Sequence, residues 1–222
     1  HNNSLKHYLQ DPEWKTYLLF LFGLSLLISL ALVENGTYPD KEAFRKGIFE
    51  VVTIATTTGF TTADYASWPT FIPFLLLMSA FIGACAGSTG GGIKIIRMLL
   101  LYKQGSREIK RLIHPNAVIP IKLGRKPVGS RVIDAVWGFL AAYVLIFAVL
   151  MLVCMALGED PITAYSAVGA CLNNLGPGLG DATLNYSTLS DGTKYVLSFA
   201  MLLGRLELFT LLVVLSPSFW EH

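Results

Sequence analysis

Long uncharged runs alternate with short polar breaks along this chain, and the breaks recur at matching places. Tyr17 to Val33 carries no charge. At about 1.5 Å per residue it is near the shortest run that crosses hydrocarbon as a helix. Trp14 and Tyr17 stand where interfacial aromatics sit. Glu34 to Pro39 ends the run. Asp40 then stands where a helix N-cap is expected, ahead of Phe44, Ile48, Val51 and Val52. The segment Lys41 to Ala55 is too short to span and holds charges in its first half. It predicts a half-helix that enters the membrane without crossing it.

Thr56-Thr57-Thr58-Gly59-Phe60-Thr61-Thr62 follows, and from Ala63-Asp64-Tyr65 to Ile93 only Asp64 is charged. Pro69 and Pro73 predict a helix start. Gly83, Gly87, Gly90, Gly91 and Gly92, with Ser88 and Thr89 between them, crowd the second half of this run. Each helical glycine costs about 1 kcal/mol relative to alanine. The helix is expected to break inside the membrane and to restart from Ile93 to Tyr102. Tyr102 to Arg131 is a polar linker in which eight basic residues face one acid, Glu108, and the positive-inside rule makes it cytoplasmic.

Asp134 to Gly158 predicts the next span. Asp160 as N-cap and Pro161 at the first helical position predict a second half-helix, ending at Leu172. Asn173-Asn174-Leu175-Gly176-Pro177-Gly178-Leu179-Gly180 is the second small-residue turn. Asp181 to Lys194 reads as an outer loop, and Tyr195 to Phe219 as the last span, with Arg205 and Glu207 inside it. An offset of about 117 residues carries Gly59 onto Gly176, Asp64 onto Asp181 and Val51 onto Val168. The fold expected is all-α and integral to the membrane, with two span–half-helix–span repeats. Residues 1–110 form the first repeat, with a broken second span. Residues 111–131 are the basic linker, and 132–222 the second repeat.

Composition sharpens the picture. The 222 residues are 53% hydrophobic and 14% charged, with mean hydropathy +0.55 and net charge +2. Soluble domains carry about 25% charged residues. The basic linker lies between apolar runs, which disfavours nucleic acid as its partner. Cys85, Cys154 and Cys171 sit in separate apolar segments without metal-ligand spacing and read as packing residues. Gly92-Ile93-Lys94-Ile95 lacks the Gly-Lys-Ser/Thr ending of a phosphate loop. An intramembrane serine protease needs a histidine base, and His1, His7, His114 and His222 all lie outside the spans. The chain is not expected to be an enzyme.

Irregular backbone within a membrane must be buried in protein or line a watery path. The two turns fit the second case. Each half-helix aims its partly negative C-terminus at a turn, which favours a cation there. Gly59 and Gly176 permit the torsions that bring successive carbonyls to one axis, as in potassium filters. Asp64 and Asp181 are either a carboxylate ring at a pore mouth or ordinary turn residues. Arg205 falls near mid-bilayer, where its charge is costly and must face protein or water. It serves either an ion pair with another helix or the pore. Glu207 is on a different side of the helix and cannot pair with it.

On these residues the chain resembles the Trk/Ktr/HKT superfamily of potassium transporters, close to its TrkH branch. Thr57-Thr58-Gly59-Phe60-Thr61, Asn174-Leu175-Gly176-Pro177-Gly178, the broken helix Gly83 to Lys94, and Arg205 carry the resemblance, which covers essentially the whole chain. It implies a pseudo-fourfold pore of four repeats, of which these are the third and fourth. Ion-binding filter positions are then Thr56 to Thr61 and Asn173 to Gly178, and the transported potassium ion is the one ligand. Gly87, Ser88, Thr89, Gly90, Gly91, Gly92 and Lys94 form an intramembrane gating loop, with Arg205 beside it. A homodimer in the inner membrane, with a cytosolic nucleotide-binding (TrkA-like) regulatory ring, is implied as well. Two repeats cannot close a fourfold filter. With His1 in place of a starting Met, the N-terminal half of the same protein is expected to supply the rest. A conventional cation channel subunit is the alternative. It needs only one repeat and a fuller Thr-Val-Gly-Tyr-Gly signature, from which Phe60-Thr61 and Pro177-Gly178 differ.

Overall fold

A computed structural model describes residues 11–69, 71–124, 126–206, 208–216, 219 and 220. His1, His7, Arg125, Glu207 and His222 lie outside the described residues. The first helix, α1 (Pro12–Glu34), exceeds the uncharged run at both ends, because Asp11 caps it and accepts from the Glu13 amide at 2.8 Å. It buries Leu24, Ser25, Ile28, Ser29 and Leu32 and leaves Leu19, Phe22 and Leu30 exposed.

Helix α2 (Asp40–Ala55) packs on that buried stripe. Gly47 allows the approach, since a Cβ there would lie 2.6 Å from Ser29 Oγ. Asp40 does not cap α2, contrary to the sequence expectation. Pro39 holds the cap position with ψ 150°, and Asp40 becomes the first helical residue, where its charge complements the helix dipole. A single turn, Tyr65–Ser67, leads to α3 (Ile72–Ile82), with Pro73 in its first turn.

The chain leaves helix at Gly83 and re-enters it at α4 (Ile95–Ile113). That is longer than expected, because the basic stretch read as linker stays helical as far as Ile113 and sets its charges along one face of an amphipathic helix. A hairpin of β1 (Lys122–Leu123) and β2 (Lys126–Pro127) follows. Ile121 beside it packs against Leu100, Ile133 and Val136.

The second repeat runs through α5 (Ser130–Ala156) and α6 (Pro161–Leu172), where Asp160 accepts from the amides of Ile162 and Thr163. A turn, Gly180–Ala182, precedes α7 (Asp191–Arg205) and α8 (Leu208–Leu215). The last span is therefore broken and not continuous, a second correction. The break adjoins Gly204, whose Cβ position lies 2.2 Å from the Leu172 carbonyl, so α7 ends pressed against the end of α6. Among the described residues, α1 and α5 are long and apolar enough to cross a membrane. The two larger buried clusters interlock. Ala170, Leu175 and Leu179 join the first repeat's core, and Ile93 joins the second's.

Candidate functional site: two matched loops over a glycine segment

The half-helices α2 and α6 end at corresponding residues and close in the same way. The Thr58 amide donates to Thr53 O at 2.8 Å, and the Leu175 amide to Ala170 O at 2.8 Å. Thr57 and Asn174 take φ 55° and 54°, and Gly59 and Gly176 take φ 83° and 106°. This is the reversed last turn that satisfies orphaned helix carbonyls. Sequence reasoning finds these residues and the glycines but misses the left-handed torsions of Thr57 and Asn174. Asparagine tolerates a left-handed torsion and could have been noticed, whereas a β-branched threonine there is an outlier that nothing in the sequence signals.

The loops touch. A Cβ on Gly59 would lie 2.2 Å from Leu175 O and 3.4 Å from Pro177 Cδ. Tyr65, which is buried, donates from its hydroxyl to Gly178 O at 2.8 Å, and Tyr186 donates to Gly176 O. Asn173 is buried too. Its Oδ1 accepts from Tyr143 at 2.6 Å and its Nδ2 donates to Gly169 O at 2.8 Å. Thr56 bonds through its hydroxyl to Thr58 and to Val52 O of α2, and Phe60 is 72% exposed.

Each ascending limb is anchored to its own half-helix. In the second loop Ser166 Oγ accepts from the Leu179 amide and donates back to Leu179 O, both at 2.9 Å. Thr163 Oγ1 accepts from the Asp181 amide at 3.1 Å. In the first loop the anchor is Glu50. Its Oε1 accepts from the Thr62 amide at 2.7 Å, the Thr62 hydroxyl at 3.1 Å and the Ala63 amide at 3.2 Å. Sequence reasoning misses Glu50, because one glutamate on a half-helix that already carries charges looks like a solvated residue.

Beneath the loops lies the segment from Gly83 to Lys94. A Cβ on Gly91 would fall 1.8 Å from Asn173 O, and one on Gly90 would fall 3.3 Å from Thr57 Oγ1. The Gly91 amide donates to Thr57 Oγ1 at 3.1 Å, so the segment contacts the inner ends of both loops. Lys94 Nζ donates to the carbonyls of Ser88, at 3.0 Å, and Gly90. Arg205 Nη1 donates to Thr89 O at 3.1 Å, across from the other repeat. Glu13 Oε1 accepts from the Ala86 amide at 2.6 Å, a tie from the start of α1. A cavity of about 220 Å³ opens beside the segment, lined among others by Gly90, Lys94, Arg97, Asn174 and Arg205.

On the other side of the loops, Asp64 and Asp181 line one depression of about 510 Å³ with Ser67 and Asn185. Asp64 sits at the head of the Tyr65–Ser67 turn without capping it by its side chain. Among the described residues no group of three His, Cys, Asp or Glu could hold a metal, and all three cysteines are free.

Three comparisons with known proteins bear on this site. Residues 7–222 match the family model TrkH, described as cation transport protein. The chain is 51% identical over 217 residues to the Trk system potassium uptake protein TrkH of Halomonas elongata, covering 98% of this chain and 45% of that protein. It is 37% identical to the Trk system potassium uptake protein TrkG of Escherichia coli, over 98% of this chain and 45% of the relative. The crystal structure of the potassium transporter TrkH from Vibrio parahaemolyticus superposes with a TM-score of 0.92 at 51% identity, covering 98% of this chain and 47% of that one. The chain thus spans a little under half the length of these relatives.

Proposed function

The chain belongs to the TrkH family of cation transport proteins, and from that premise we propose that it forms the C-terminal half of a potassium-uptake pore. The two loops are adjacent walls of a selectivity filter, lined by carbonyls of Thr56 to Thr61 and Asn173 to Gly178. A carbonyl has two lone pairs, so Gly176 and Gly178 keep one each while accepting from their tyrosines. The N-terminal half of the protein supplies two further repeats and completes the pseudo-fourfold ring around potassium. Asp64 and Asp181 concentrate cations at the outer mouth. Residues 1–110 and 132–222 are the two pore-loop repeats, and 111–131 is a linker on the cytoplasmic side of the inner membrane. There the homodimer meets a nucleotide-binding, TrkA-like ring.

The glycine segment is the gate. Gly87 to Gly92 blocks the path under the filter, Lys94 staples the segment to itself, and Arg205 ties it to the second repeat. Arg205 also repels an ion in the cavity it lines. The observation that carries this reading is the contact of Gly91 with the inner ends of both loops, against Asn173 O at a distance only glycine permits and through its amide to Thr57 Oγ1. The test is flux in proteoliposomes of the full-length protein. K⁺ and Rb⁺ should pass in preference to Na⁺, and shortening the glycine segment should raise K⁺ flux without any partner. Equal passage of the three ions, or a folded deletion with flat or reduced flux, contradicts the reading.

A further inference from the structure

The same backbone amide is anchored in both loops, but by different chemistry. Thr62 and Leu179 correspond under the repeat offset. Leu179 is received by the hydroxyl of Ser166, whereas Thr62 is received by Glu50, a carboxyl with 0% exposure. Burying an ionisable group is costly, and a neutral hydroxyl does the equivalent task in the second repeat. Glu50 Oε1 accepts three hydrogen bonds from the ascending limb, while the buried Oε2 has no partner. One oxygen of Glu50 thus gathers the three hydrogen bonds that the second limb divides between Ser166 and Thr163, so its loss frees the whole limb at once. The limb leads straight to Tyr65, whose hydroxyl reaches the Gly178 carbonyl of the second loop. A shift at Thr62 and Ala63 therefore passes into both loops.

We propose that Glu50 is a positioning residue for ion selection, fixing the first loop's carbonyls and, through Tyr65, those of the second. The proposal rests on the filter reading above, so its test runs alongside a test of that reading. The K⁺/Na⁺ permeability ratio of the full-length protein in liposomes is measured for Glu50→Gln and for Gly59→Ser. Glutamine keeps the length and one accepting oxygen but puts an amide NH₂ where Oε2 has no partner. The ratio should fall about tenfold, the equivalent of one disturbed buried hydrogen bond, while the protein still assembles on size exclusion. If Gly59→Ser shifts the ratio and Glu50→Gln does not, Glu50 serves stability alone and the proposal is overturned. Should neither shift it, the filter reading fails and takes the proposal with it. Thr62→Val covers the case in which Glu50→Gln does not assemble. It removes one donor from an exposed residue, and should lower the ratio in the same direction by less. No change there overturns the proposal too.

Discussion

In the first loop Thr62 hangs from a buried carboxyl, Phe60 is exposed, and the threonines bond to one another. In the second, Asn173 is clasped by Tyr143, Leu179 by Ser166, Asp181 by Thr163, and two carbonyls receive tyrosine hydroxyls. Yet the backbones follow one course, with left-handed residues at matching positions and the same amide-to-carbonyl closure after each half-helix. The difference separates two jobs. The path of a re-entrant loop is set by how a helix end satisfies its carbonyls. The means of holding that path is left to whichever side chains face it. Two repeats can therefore keep a geometry while sharing few letters.

The sharpest way to break this comparison is at the loop glycines. Both have positive φ, but Gly59 also abuts Leu175 O while space is open around Gly176. Gly59→Ala should lower the K⁺/Na⁺ permeability ratio by tenfold or more, whereas Gly176→Ala, which adds only torsional strain of about 1–3 kcal/mol, should lower it less. Bi-ionic measurements on both variants decide it, and equal effects would erase the asymmetry between the two loops.

The outer spans differ next. The first repeat breaks through glycines and the second at Leu206, and Arg205 joins the two breaks through Thr89 O. Arg205→Ala should raise K⁺ uptake several-fold, with Arg205→Lys between, because lysine keeps the charge and loses the planar fork. Tracer uptake that vanishes in an assembled Arg205→Ala protein would make this arginine structural.

A smaller effect is expected where each half-helix turns. Thr56 and Asn173 correspond, but only Asn173 is buried with a side-chain partner. Tyr143→Phe leaves that amide oxygen unsatisfied and should destabilise by about 1–3 kcal/mol. Thr56→Val should cost less. Thermal unfolding in detergent ranks the two.

The smallest effect lies at the half-helix starts. Asp160→Ala removes a side-chain cap and should cost about 1 kcal/mol, against a few tenths for Asp40→Ala, which loses only a dipole interaction. The Thr163 hydroxyl and amide, and then the Ile162 amide, hold the Asp160 carboxyl below its ordinary range. Its stabilisation is thus present at neutral pH and fades only as pH falls from the unfolded carboxyl's value through the lower folded one. Because Asp160 is largely exposed, solvent screens much of this gain. Melting curves of wild type and Asp160→Ala should converge at the acid end of a pH series.

The half-helix ends, the glycine break and the two turns were legible in the sequence, since run lengths, caps and clustered small residues are local signals. Asp160-Pro161 announced α6, and Gly83 to Gly92 announced the end of α3. The break after Arg205 was not legible, because leucines on both sides read as one helix and the close approach of Gly204 to the end of α6 is a contact between distant segments. The extent of α4 was obscured by its charges, which lie on one helical face. Glu50 and Tyr65 were hidden for another reason. Their partners are amides and carbonyls, which carry no residue identity and can be found only in three dimensions.

The central claim is that these two loops together line the ion path. Diffraction from the full-length protein soaked in Rb⁺, read in the anomalous difference map, tests it most directly. The account predicts a peak within coordinating distance of carbonyls from both Thr56 to Thr61 and Asn173 to Gly178, above the glycine segment. A map in which Rb⁺ binds elsewhere in the membrane, with nothing between the two loops, would contradict it.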